Sequence, residues 1–71
     1  MFSQVEARRA AVGIEQKELC QRAGVHETTY TARKSERRGM SERTLKKLDE
    51  ALEEIIAERQ AALHAIGEHR Q

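Results

Sequence analysis

A chain of 71 residues, without proline and with one cysteine, allows a single domain and no internal disulfide, which favours a cytoplasmic protein. No apolar run is long enough to cross a bilayer or to act as a secretory signal, so we expect no membrane partner. The β-branched residues cluster only as threonines around Tyr30, and the composition is therefore that of an all-α domain.

The net charge of +1 hides an uneven distribution along the chain. Residues 1–48 carry eleven Lys and Arg against six Asp and Glu, whereas residues 49–71 carry two against six. The basic residues are densest between Arg33 and Lys47. This asymmetry indicates one face for a polyanion and another turned away from it, although a solvated helix surface would give the same pattern.

The first predicted helix begins near Ser3 and ends at Gly13. Ser3 can cap the open backbone amides at its start, and Glu6 can complete a capping box. Phe2, just before the cap, is then placed for a small hydrophobic staple.

Two short helical patterns flank a glycine-valine step in the middle of the chain. The first runs from Gln16 to Ala23, and Gly24 stands where a left-handed residue would end it. The second covers residues 26–34 and turns Tyr30 inward. This is the pattern of a helix-turn-helix, and the short outer side chains of the second helix suit entry into a DNA major groove.

The sequence gives no indication of catalysis or of metal binding. Cys20 lies where the two short helices must approach closely, and we interpret it as a small buried hydrophobe. It makes no metal-ligand spacing with His26, His64 or His69. Since no phosphate-binding glycine loop and no nucleophile-base pair occur, we predict no enzyme, no cofactor and no small-molecule substrate.

The last predicted helix starts at Ser41, which can cap it, and no glycine or proline interrupts it before Ile66. Its apolar residues alternate at spacings of three and four, which is a heptad seam. We predict that residues 1–52 form the helix-turn-helix core and that residues 53–71 extend the last helix for dimerisation and end in a frayed tail. The predicted dimer contacts are Leu52, Ile55, Ile56, Leu63 and Ile66. The competing expectation is a break near Ala57 that folds the tail back onto Phe2 and Val5.

Residues 5–52 resemble the Cro/repressor-type (lambda-repressor-like, XRE-type) helix-turn-helix DNA-binding proteins. The residues that carry the resemblance are Arg9, Gly13, Ile14, Gln16, Glu18, Leu19, Cys20, Ala23, Gly24, Val25, Tyr30 and the turn 36–39. The resemblance implies an all-α fold of four to five helices, with the third helix in the major groove. It also implies that Gln16 touches phosphate and that Glu27, Thr28 and Ala32 lie at base-reading positions. Arg33 departs from the family, which normally places an aliphatic core residue there.

The complete set of predicted DNA-binding residues is Gln16, Lys17, His26, Glu27, Thr28, Thr31, Ala32, Arg33, Lys34, Arg37 and Arg38. Lys17, Lys34, Arg37 and Arg38 would supply affinity through phosphates, and the outer face of the third helix would supply specificity. His26 either contacts DNA or simply caps its helix.

We therefore expect a sequence-specific DNA-binding transcriptional regulator, a small phage- or prophage-type repressor that binds double-stranded DNA as a homodimer in the nucleoid. The alternative is a protein interaction module, in which the helix-turn-helix is a scaffold and the acidic last helix binds or sequesters another regulator. A winged helix of the excisionase or MerR type is disfavoured, because no segment has a strand-forming pattern.

Overall fold

The structure, a computed structural model, describes the backbone of residues 1–69 and the side chains of residues 1–65. Four helices account for most of this part of the chain: α1 Phe2–Val12, α2 Gln16–Ala23, α3 Glu27–Lys34 and α4 Glu42–His69. No strand occurs between residues 1 and 69, and the predicted all-α class is confirmed. Four helices agree with the four to five that the family resemblance implied. Because α4 runs without a break, the competing expectation of a fold-back near Ala57 is wrong.

The helix ends follow from local chemistry, with one exception. Gly13 and Gly24 end α1 and α2 in the left-handed conformation, with φ of 78° and 71°. Ser41 caps α4, since its Oγ accepts from the backbone amide of Thr44 at 3.2 Å. The expected cap at Ser3 is wrong, because α1 begins one residue earlier, at Phe2, and has no side-chain cap.

The core lies between α4 and the other three helices. Its buried members are Phe2, Val5, Ile14, Leu19, Cys20, Tyr30, Leu48, Ala51, Leu52 and Ile55. Cys20 is buried as predicted, and burial, the largest cause, raises the pKa of its thiol to about 11. A thiol held protonated in this way is a packing group rather than a nucleophile.

The heptad seam of α4 packs against the core of its own chain as far as Ile55. We predicted that the core would end at residue 52. Leu52 and Ile55, both predicted as dimer contacts, are 0% and 2% exposed within the single chain. That prediction needs correction, because neither side chain is available to a partner. Ile56 packs partly against the core, and Leu63 is 68% exposed. The side chain of Ile66 lies outside the described residues.

The end of α4, from residue 60 on, extends past the other helices. Residues 60–65 are all exposed, and the molecule measures 51 Å along one axis but 18 Å along the other two. We call residues 60–69 the overhang. Within residues 1–69, no helix combines the length and apolarity needed to cross a membrane.

Candidate nucleic-acid interface

The helix-turn-helix is built from α2, α3 and the three residues that join them. Tyr30 is fully buried, and Leu19 of α2 is buried in the same core cluster. With Tyr30 directed inward, Glu27, Thr28 and Thr31 lie exposed, and Ala32 is partly exposed. The outer face of α3 thus carries short side chains, so its backbone can approach another surface closely.

A side-chain hydrogen bond ties the start of α2 to this outer face. Gln16 donates from Nε2 to Thr31 Oγ1 at 2.9 Å. Two residues predicted to bind DNA from different helices are therefore in direct contact. The amides at the start of α2 are also free of side-chain caps, an arrangement that favours anions. Lys17 follows at the same end and is exposed.

The turn between α3 and α4 adjoins the same face. An open cleft of about 480 Å³ is lined by Thr28, Thr29, Ala32, Arg37, Arg38 and Gly39. The predicted base-reading residues Thr28 and Ala32 therefore share one concave surface with the predicted phosphate contacts Arg37 and Arg38. Arg37 is held by its Nε, which donates to Ser35 Oγ at 3.0 Å.

Ion pairing divides the basic residues of the described chain into two groups. Five of them pair with carboxylates of the same chain: Arg8, Arg9, Arg22, Lys34 and Arg59. Seven others form no ion pair within the described residues: Lys17, Arg33, Arg37, Arg38, Arg43, Lys46 and Lys47, of which Arg33 packs on an aromatic ring. The uncompensated positive charge is thus concentrated at the start of α2, in the α3–α4 turn and in the first two turns of α4.

Three of these unpaired residues were missed when the site was predicted from sequence. Arg43, Lys46 and Lys47 are exposed on α4, directly after the basic turn. The dense run of basic residues between 33 and 47 was visible in the sequence. Without the fold, however, nothing separated these side chains from those that pair internally.

Arg33 and Lys34 turn toward α1 rather than toward the outer face of α3. The guanidinium carbon of Arg33 lies 5.0 Å from the centroid of the Phe2 ring, a cation–π geometry. Lys34 Nζ is 3.6 Å from a carboxylate oxygen of Glu6. Both residues lie one turn after Tyr30 and share its side of the helix. The structure therefore does not bring them together with Thr28 and Arg37.

His26 occupies the residue before α3, as its interpretation as a cap required. Its side chain is exposed and makes no capping hydrogen bond to the backbone. The helix start is left to the backbone, where the amides of Thr29 and Tyr30 both donate to the His26 carbonyl. Across the described residues, no group of three or more His, Cys, Asp or Glu side chains is arranged to hold a metal ion.

Residues 5–55 match the profile of a helix-turn-helix family, and this match covers most of the chain. The protein belongs to this family, in its lambda-repressor-like branch, and the predicted resemblance is confirmed. Family and fold together define a DNA-binding regulator of the XRE type. No curated protein and no solved structure matches the chain.

Proposed function

We propose that this protein is a sequence-specific transcriptional repressor of the small phage or prophage type, which binds double-stranded DNA and excludes competitors from its site. The observation that carries this proposal is the shared cleft between α3 and the α3–α4 turn. There, short side chains suited to base edges adjoin two arginines without an ion-pair partner in the described chain.

Phosphate contacts would supply most of the affinity. Arg37 and Arg38 share the cleft with Thr28 and Ala32, and Lys17 is exposed next to Gln16, whose side chain contacts Thr31. Cations that are already neutralised within the protein release few counterions from DNA, whereas unpaired cations release one for each phosphate they neutralise. The division of the basic residues into paired and unpaired groups therefore supports this set of contacts.

Base reading would come from the exposed face of α3. Glu27 can accept a hydrogen bond from the amino group of a cytosine, and the methyl groups of Thr28 and Thr31 can contact a thymine methyl. The hydrogen bond from Gln16 holds Thr31 in place, so its methyl group is presented in one orientation. The small side chain of Ala32 leaves space for the edge of the DNA major groove beside Thr28.

Selection of binding sites from random duplexes tests this proposal. The unaltered protein is expected to yield one preferred motif. Thr28→Ala should cost on the order of 1 kcal/mol at the best site and relax the preference at one base pair, because a methyl contact to a base is lost. Ser3→Ala, on the exposed side of α1, is the control and should leave the motif unchanged. Recovery of unrelated sequences by the unaltered protein would contradict the proposal.

We further propose that the repressor is a homodimer joined through the overhang and the turn of α4 that precedes it. One helix-turn-helix covers only a few base pairs, and two-fold pairing onto two half-sites would supply the missing specificity. With Leu52 and Ile55 buried in the single chain, the proposed contact centres on Leu63 and the exposed edge of Ile56. An exposed leucine on a projecting helix is an apolar surface that a second copy can cover.

Light scattering on the full chain tests the dimer. The unaltered protein at high micromolar concentration is expected to show a dimer mass, and Leu63→Glu should shift it to a monomer. Ala61→Glu adds the same charge on the opposite side of α4 and should leave the dimer intact. A monomer mass for the unaltered protein would remove this part of the proposal.

The alternative of a protein interaction module loses the two observations that supported it. Arg33 is accommodated over the Phe2 ring, so its presence does not indicate a disrupted recognition helix. The acidic residues of α4 are largely engaged within the chain: Glu53 pairs with Arg8, and Glu54 and Glu58 pair with Arg22. These observations favour DNA as the partner.

A further inference from the structure

The carboxylate of Glu6, on α1, is the meeting point of donors from α1 and α3. Arg9 donates to it from Nη2 at 2.5 Å and from Nε at 3.3 Å. The Tyr30 hydroxyl donates a short hydrogen bond to the same carboxylate. Lys34 Nζ lies 3.6 Å away. No other carboxylate in the described chain is contacted by donors of three different residues.

The same network continues into the α1–α2 turn. Arg9 donates from Nη1 to the backbone carbonyl of Ile14 at 2.6 Å. The side chains of Glu6 and Arg9 are 23% and 13% exposed, so water competes only weakly for these bonds. Glu6 thereby links α1 to α3 directly and to the α1–α2 turn through Arg9.

The ionised form of Glu6 is the one that this network favours. Burial by itself would raise the pKa of Glu6, but hydrogen bonds from Arg9 and Tyr30 outweigh it and lower the pKa below its ordinary value. Burial, together with the hydrogen bond to Glu6, raises the pKa of Tyr30, so this residue stays a hydroxyl donor. The donor and acceptor roles are therefore fixed at neutral pH.

Two side-chain contacts made from residues one turn apart are enough to fix the rotation of a helix about its own axis. Tyr30 and Lys34 are four residues apart on α3, and both reach Glu6. The Tyr30 ring packs edge-to-face on Phe2, with centroids 4.9 Å apart, an apolar contact that gives no hydrogen-bond direction. A rotation by ~10° would move groups on a helix surface of ~5–6 Å radius by ~1 Å. A displacement of that size exceeds the roughly 0.5 Å tolerance of a working binding site.

We propose that Glu6 is a positioning residue that sets the orientation of α3 and so determines which base pairs the outer face of α3 prefers, without itself touching DNA. This inference rests on the proposed function. Thr28 and Thr31 project from the helix that Glu6 holds, so any change of its rotation moves both. The residue that tunes specificity thus lies on α1, outside the helix-turn-helix.

The test compares affinities for two duplexes, the best selected site and the same site with one altered base pair opposite Thr28. Glu6→Gln keeps the size of the side chain but removes its charge, and Tyr30→Phe removes only the hydroxyl. Each is expected to lower the ratio of the two affinities by about fivefold, the same loss that Thr28→Ala should cause at this base pair. The double variant should lower the ratio little more than either single variant does, because both substitutions remove the same hydrogen bond between Tyr30 and Glu6.

The control and a direct measurement separate positioning from simple destabilisation. Asp49→Asn breaks an exposed contact between α4 and Arg8 and should leave the ratio unchanged. Amide chemical shifts in Glu6→Gln should move along residues 27–34 and stay constant in residues 50–55. All measurements are made well below the unfolding temperature of each variant. A loss of stability alone would lower both affinities equally and preserve the ratio.

Two results would overturn the inference, and they differ from failure of the proposed function. An unchanged ratio in folded Glu6→Gln, or amide shifts confined to α1, would show that Glu6 only stabilises the fold. If Glu6→Gln does not fold, an unchanged ratio in Tyr30→Phe has the same meaning. An unaltered protein with no base preference would instead remove the proposed function, and this inference with it.

Discussion

Glu36 holds the backbone of the α3–α4 turn in the left-handed region, with φ of 61°. The amide of Arg37 donates to the Ala32 carbonyl at 2.9 Å, and the amide of Glu36 donates to the Arg33 carbonyl at 3.0 Å. This is the hydrogen-bond pattern that commonly closes a helix, with glutamate in the place usually taken by glycine. A side chain with a Cβ is strained in that conformation.

Glu36→Gly should therefore stabilise the protein by about 1 kcal/mol, since the relief of strain exceeds the added flexibility of the unfolded chain. Chemical denaturation at neutral pH measures the change. Glu36→Ala removes the same charge but keeps the Cβ, so it should not give this gain. Equal stability of the two variants would place the cost of Glu36 in its charge and not in its backbone.

Single residues also show what sequence reasoning could resolve. The caps at Gly13, Gly24 and Ser41 were predictable, because each rests on a local backbone requirement. The Ser3 cap failed, because α1 begins one residue earlier and buries Phe2 against Tyr30. The positions of Arg33 and Glu6 were not predictable, since both depend on which helix lies opposite.

Among the helices, α4 both closes the hydrophobic core and projects beyond it into solvent. Its seam closes the core as far as Ile55, and ion pairs with Arg8 and Arg22 hold it to α1 and α2. Arg59 extends this attachment by donating to Glu18 at 2.8 Å. The attached part of α4 therefore reaches several residues beyond 52, where we predicted the core to end.

Ile55→Ala should cost about 2–5 kcal/mol in unfolding free energy, because a buried aliphatic side chain is lost from a small core. Leu63→Ala is the matched change on the overhang and should stay within about 0.5 kcal/mol. Denaturation is followed at low protein concentration, so that association does not contribute. Similar costs at both positions would mean that the core does not end near Ile55.

The heptad pattern predicted that α4 would be one long helix with a single apolar face. It could not predict what would cover that face, because a period identifies which residues lie together but not their partner. Leu52 and Ile55 were therefore expected at a dimer interface, although the chain's own helices bury them. The contacts of the overhang stay a prediction, centred on Leu63.

Across the whole molecule, charge is arranged by pairing as much as by position. Acidic residues in the middle of α4 form ion pairs with Arg8 and Arg22; they are Glu53, Glu54 and Glu58. The basic residues near the α3 face have no such partners in the described chain. The sequence indicated this asymmetry as a contrast between two halves, whereas the fold shows which individual cations are available to a polyanion.

The salt dependence of DNA binding shows whether the unpaired arginines of the cleft contact phosphates. Affinity for the selected duplex is measured over a series of salt concentrations for the unaltered protein and for two double variants. Arg37→Ala with Arg38→Ala removes two unpaired cations and should flatten the slope of log affinity against log salt by about two phosphates' worth. Arg22→Ala with Arg59→Ala removes two paired cations that do not line the cleft and should leave the slope unchanged. Equal slopes for all three proteins would contradict the account.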